Sequence, residues 1–144
     1  MSLCAMNVTA ASTSKLTTAT HNGYATDVRS QQQTVVEIIL LNINGDKINT
    51  TTVNQSVVLG GVLTSVPSNS SNYLGGATVN IQGSLDGNKW IAITHVATQT
   101  GEFNGFFAVK WTQSKPGVIY FRATYDGDNQ YAPTVSNVVK LTVN

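Results

Sequence analysis

The stretch Val118-Ile119-Tyr120-Phe121-Arg122-Ala123-Thr124-Tyr125 decides how this chain is read. In an extended backbone successive side chains point to opposite faces, so Ile119, Phe121, Ala123 and Tyr125 share one side. Val118, Tyr120, Arg122 and Thr124 share the other. A period of two with one strongly apolar side marks a strand that lays one face on a core. Lys115-Pro116-Gly117 precedes it as a turn, and residues 127–133 follow as a loop. Residues 135–143 resume the alternation, with Val139, Leu141 and Val143 on one face.

The same grammar extends toward the N-terminus. Residues 103–111 read as a strand in which Phe107, Val109 and Trp111 face together, which predicts a buried Trp111. Residues 77–82 and 90–96 form a pair about Asp86-Gly87, a strong hairpin signal. Residues 56–65 are apolar, and Gly60-Gly61 within them marks a bulge or a close backbone approach. Residues 48–54 are extended and Thr-rich. Residues 34–43 (TVVEIILLNI) are β-branched, short and followed at once by Asn44-Gly45-Asp46, so they read as a strand although they also fit a helical face. About seven strands joined by turns, with no convincing helix, predict an all-β antiparallel β-sandwich. Residues 1–33, rich in Thr, Ser, Ala and Gln, read as a polar N-terminal extension or linker, and 34–144 as the sandwich.

Four segments carry a family resemblance. Leu74-Gly75-Gly76-Ala77-Thr78-Val79-Asn80-Ile81-Gln82 comes first, followed by Ser84-Leu85-Asp86-Gly87-Asn88-Lys89-Trp90. Asn104 through Trp111-Thr112 then runs into Lys115-Pro116-Gly117, and Ala123-Thr124-Tyr125-Asp126-Gly127-Asp128 leads to Tyr131-Ala132-Pro133-Thr134 and Ser136. In this order they resemble the bacterial and archaeal immunoglobulin-like (Big-type) cell-surface repeats over residues 48–144. The resemblance implies an immunoglobulin-like sandwich and a role as spacer, adhesin stalk or enzyme accessory. Ile119 stands where many members carry a Tyr, so no tyrosine-corner hydrogen bond is implied.

Composition excludes several functions. The 144 residues are 41% hydrophobic but only 10% charged, with a net charge of +1. No basic segment exists to capture nucleic acid or anionic lipid. The longest nearly apolar run, 35–41, is far too short to span a bilayer, and the opening residues lack the apolar stretch of a secretory signal. Cys4, the lone cysteine, makes no internal disulfide, and no His/Cys cluster is spaced for zinc. His21 and His95 stand in unrelated contexts with no orienting acid beside them, and no nucleophile, metalloprotease or phosphate-loop motif is present. The chain reads as non-enzymatic, without a cofactor.

The remaining candidates are binding features. Asp126 and Asp128 are the nearest approach to a calcium loop, but the acids are too few and a distal Glu is missing, so a capped turn is the expected role. Asn-x-Ser/Thr triplets at Asn7, Asn49, Asn54 and Asn69 are glycosylation acceptors by pattern, with Asn69 in a Ser-rich loop. In a chain this rich in Ser and Thr such triplets also arise by chance. Tyr73, Trp90, Trp111, Tyr120, Tyr125 and Tyr131 are rings able to stack on sugars, and Tyr120 and Tyr131 are the expected ligand contacts. Tyr120, opposite Phe121, is the ring expected to be most exposed. The expected protein is an extracellular structural or adhesive module whose partners are neighbouring domains, surface proteins or glycans. A carbohydrate-binding accessory module and a virion-associated immunoglobulin-like domain are the alternatives. Segment 34–43 is expected to pair with a sheet edge, either within the chain or between chains, with the pairing within the chain preferred.

Overall fold

The computed structural model describes residues 31–68 and 70–144. Cys4, Asn7, His21 and Asn69, and most of the predicted extension 1–33, lie outside the described residues. Nine strands follow one another among the described residues: β1 (Thr34–Leu41), β2 (Thr50–Thr51), β3 (Ser56–Ser65), β4 (Thr78–Ser84), β5 (Ile91–Ala97), β6 (Phe106–Thr112), β7 (Gly117–Tyr125), β8 (Thr134–Val135) and β9 (Val139–Val143). β2 and β8 are two-residue pieces, which leaves seven longer strands, as the turn spacing predicts.

One sheet has the order β1-β3-β6. The other has the order β2-β9-β7-β4-β5, with β8 paired to β7. The connections after β1, β2, β3, β5 and β6 each pass from one sheet to the other. This is an all-β immunoglobulin-like sandwich.

The predicted alternation accounts for the core. β7 lies between β4 and β9, and Ile119, Phe121, Ala123 and Tyr125 are all buried along its inner face. Across from them, Val36, Ile38 and Leu40 of β1 join Val57, Leu59 and Leu63 of β3 and Phe107 of β6. Val79 and Ile81 of β4 and Leu141 and Val143 of β9 complete the layer. Each large side chain withdrawn from water here contributes on the order of 1.5–3 kcal/mol. Trp111 packs edge-on against Phe121 with ring centres 5.4 Å apart, and its indole Nε1–H is buried without an acceptor among the described residues.

The structure departs from the sequence reading in several places. Ile48 to Asn54 was expected to be extended throughout, but only Thr50–Thr51 is a strand, and it runs parallel to β9, so the sandwich is not purely antiparallel. Residues 135–143 break in two. The Ser136 hydroxyl accepts the Ala123 amide at 2.8 Å, and the Asn137 side chain turns to β1. There Asn137 Oδ1 accepts the Ile38 amide and Nδ2 donates to the Ile38 carbonyl, both at 3.0 Å, as a neighbouring strand would. Phe103, expected in a strand, ends the 3-10 turn Gly101–Phe103. A register shift at Ile81/Gln82 bulges β5, which brings Ile93 and Val96, three residues apart, against the same core.

Gly60-Gly61 is a close approach rather than a bulge, because both ladders of β3 run through it without a break. A Cβ at Gly61 would stand 2.6 Å from the Glu37 carbonyl oxygen and inside the Phe107 ring, whereas one at Gly60 would meet only Leu41 Cδ1 at 3.5 Å. Gly61→Ala is therefore expected to cost on the order of 1–3 kcal/mol by overpacking. Gly60→Ala should stay within about 0.5 kcal/mol of wild type. Urea denaturation of both variants measures the contrast, and equal losses would contradict this packing.

The β4–β5 connection is longer than a two-residue hairpin. Asp86 organises it: its Oδ1 accepts the amides of Asn88 and Lys89 at 2.8 and 2.9 Å and the Ser84 hydroxyl at 3.0 Å. The backbone donors, Lys89 first, hold its carboxyl at about 2, below the ordinary 3.8. A depressed folded-state pKa adds stability that is present above 3.8 and is lost as pH falls toward 2. Denaturation midpoints between pH 5 and pH 2 should therefore fall more steeply for wild type than for Asp86→Asn. Parallel pH profiles would show that this loop makes no such contribution.

Candidate functional site

Three surface regions gather the candidate residues. The first is a cleft of about 490 Å³ at the end of the sandwich where β7 finishes. Leu74–Thr78 form one wall, and Tyr125, Asp126, Gly127, Asp128 and Tyr131 form the other. Asp128 builds its loop from within: Oδ1 accepts the amides of Gln130 and Tyr131, each at 2.8 Å. Burial of the Tyr125 hydroxyl, with the nearby Asp128 carboxylate that it hydrogen-bonds, raises the Tyr125 pKa above its ordinary value. Asp126 Oδ2 lies 3.4 Å from Asn80 Nδ2. Asp126 and Asp128 thus share the cleft with Tyr131, a juxtaposition the loop sequence alone did not specify. No group of three His, Cys, Asp or Glu side chains converges among the described residues. The amides that Asp128 caps are those of the tight turn expected from its sequence. The chemistry on offer is a half-buried ring beside carboxylate and backbone acceptors, a combination suited to hydroxylated ligands.

The second region is the outer face of the larger sheet. Tyr120 and Tyr131 do not meet: Tyr131 lines the end cleft, while Tyr120 lies in the middle of this face opposite Ser84 and Lys140. Tyr120 is half-buried rather than open, because the β4–β5 loop leans over it with Gly87 against the ring. Beside it the Arg122 guanidinium stacks over Trp90 at 4.4 Å, and Arg122 Nε donates to Gln82 Oε1 at 2.6 Å. Burial beneath the indole lowers the Arg122 pKa from its ordinary value. Trp90, Arg122 and Gln82 were not singled out from sequence as a group. Alternation placed Arg122 outward, but nothing local signalled that an indole from the β4–β5 connection would lie on it. Asn49 and Asn54 are exposed in the turns flanking β2, with Asn54 in the left-handed region at φ 67°.

The third region is the outer face of the smaller sheet, a shallow groove of about 340 Å³ with an almost wholly apolar lining. Among the described residues Glu37 is its one charged lining residue, and Ile39, Leu41, Val58, Val62 and Phe106 supply most of the rest. Sequence reasoning missed it, although the signal was present: TVVEIILL is apolar at nearly every position, the mark of a strand with both faces withdrawn from water.

No family model matches the chain, and no curated protein matches it. Solved structures similar to it are found. One is the CARDB domain of a Pyrococcus furiosus protein in complex with di-metal ions, with a TM-score of 0.50 and 14% identity over 78% of this chain and 94% of that one. Another is a superoxide reductase (neelaredoxin) from Ignicoccus hospitalis, with a TM-score of 0.48 and 10% identity over 85% of this chain and 88% of that one. At 14% identity the likeness to the CARDB domain is one of fold alone: the chain is an immunoglobulin-like β-sandwich similar to it in architecture.

Proposed function

We propose that residues 32–144 form a non-enzymatic structural and adhesive module of a secreted or cell-surface protein, of the kind found in Big-type repeats. The observation that carries this reading is the position of the two ends of the sandwich. β1 begins beside the loop that follows β7: the Gln32 amide donates to Gln130 O, and the Thr34 hydroxyl donates to Ala132 O. β9 finishes beside the start of β7, where Val143 pairs with Gly117 and the Asn144 carbonyl accepts the Val53 amide. Entry and exit are thus separated by the length of β7, roughly 30 Å at about 3.3 Å per residue. Modules joined in series with that geometry stack end to end, and load runs along the strands through a sealed apolar core.

The uncharged, hydroxyl- and amide-rich surface accords with an extracellular setting. Antibodies raised against the sandwich should therefore label intact source cells, or material that they secrete, without permeabilisation. Labelling that requires permeabilised cells would overturn this localisation.

A second reading, carbohydrate binding, is favoured by the end cleft, where Tyr131 stands beside Asp126 and Asp128. Loss of a stacking ring costs about 1–3 kcal/mol in comparable base–aromatic contacts. On that scale Tyr131→Ala should weaken retention on a polysaccharide panel about tenfold or more. Absence of retention by wild type across the panel would remove this reading and leave the structural one standing.

A further inference from the structure

We infer that the outer face of the smaller sheet is a self-association surface, on which a second copy of this chain docks face to face. The inference stands on this face alone and does not depend on where the protein resides.

Three cross-strand rows make up the face. Glu37, Val62 and Phe106 form the first, Ile39, Gly60 and Ala108 the second, and Leu41, Val58 and Lys110 the third. Ile39 is 42% exposed and Phe106 40%, so both stand proud of the sheet. Gly60, without a side chain, leaves the hollow between them, and it is itself buried at the groove floor. Tyr73 supports Phe106 edge-on at 5.4 Å, which holds that ring in place. Beyond the third row, Ser56 and Thr112 join hydroxyls at 3.1 Å and begin a polar rim. An apolar centre with ring anchors and a polar border is the anatomy of an interface rather than of a solvated sheet.

The charges select the partner. Glu37 and Lys110 are the exposed charged residues in these rows, and they occupy diagonally opposite corners of the three-by-three grid. Strand spacing and rise put them roughly 17 Å apart. A two-fold axis lying in the plane of the face, perpendicular to the line that joins them, carries each of these two corners onto the other. Glu37 of one copy then meets Lys110 of the other, twice over, in a closed isologous pair. Under the same operation the strands of the two copies cross steeply, near the orthogonal class of sheet packing. Gly60, at the centre of the grid, lies on this axis and faces Gly60 of the other copy, while Ile39 of each copy comes down beside Val58 of the other. An unrelated partner would need to supply an acid and a base at these two corners, whereas a second copy does so by symmetry. A three-stranded face covers a few hundred Å² per copy, below the roughly 800 Å² per partner of tight complexes. The pair is therefore expected to be concentration-dependent rather than obligate.

Sedimentation velocity of the full chain across a wide concentration range tests the inference, with circular dichroism melts confirming that each variant folds. Wild type should shift from monomer toward dimer as concentration rises. Glu37→Lys alone, or Lys110→Glu alone, sets like charges against each other at both corners and should weaken the dimer about tenfold or more. The double reversal restores both opposite-charge pairs and should recover association. Three results would each overturn the inference: wild type that stays monomeric throughout, single variants that dimerise like wild type, or a double reversal that fails to recover.

Discussion

The inner column of β7 is the constraint on which the rest of this molecule depends. Ile119, Phe121, Ala123 and Tyr125 occupy a strand hydrogen-bonded on both sides, to β4 and β9, so none can turn toward water without breaking two ladders. The facing sheet must therefore bring apolar groups to meet them, and Val36, Ile38, Leu40, Leu59 and Phe107 do so. A slip of one residue in β7 would bury Arg122 and Tyr120 and expel Phe121. Such a slip costs far more than any loop contributes.

The functional surfaces follow from that sealed interior. Packed side chains fill the space between the sheets, so reactive or recognition groups must sit on loops and outer faces. The end cleft is built this way: β7 delivers Tyr125 and Asp126 to its finish, and the Asp128-capped turn carries Tyr131 back across. The outer face of the larger sheet is largely closed, because the loop organised by Asp86 covers Tyr120 and the Trp90 indole covers Arg122. The outer face of the smaller sheet has no such cover among the described residues, and its side chains are apolar where those of the larger sheet are polar. One sandwich thus presents two chemically different outsides.

Much of this architecture was legible in the residues themselves. Alternation in 118–125 marked the buried face of β7, and the β-branched run 34–43 marked β1, because both are consequences of the two-residue repeat of an extended chain. The same rule expected Trp111 to face inward, and it does, though its N–H found no acceptor there. Legibility ended where geometry depends on distant partners. Nothing near Asn137 announces that its amide would pair with Ile38, 99 positions away. Tyr120 pointed outward as alternation requires, yet its exposure was decided by a loop that folds over it from another strand. Likewise Asp126, Asp128 and Tyr131 were separate suggestions until one loop closed them around a shared cleft.

The amino-acid order by itself determined the layered all-β class, most strand positions and which side of each strand lies against the core. Those properties are local, set by backbone pleat and turn residues within a few positions. Only the tertiary structure decided which strands lie side by side, which outer face stays open, and where the ends of the sandwich point. Those outcomes rest on pairings between residues far apart in the chain, whose energies exist only after the two sheets have come together.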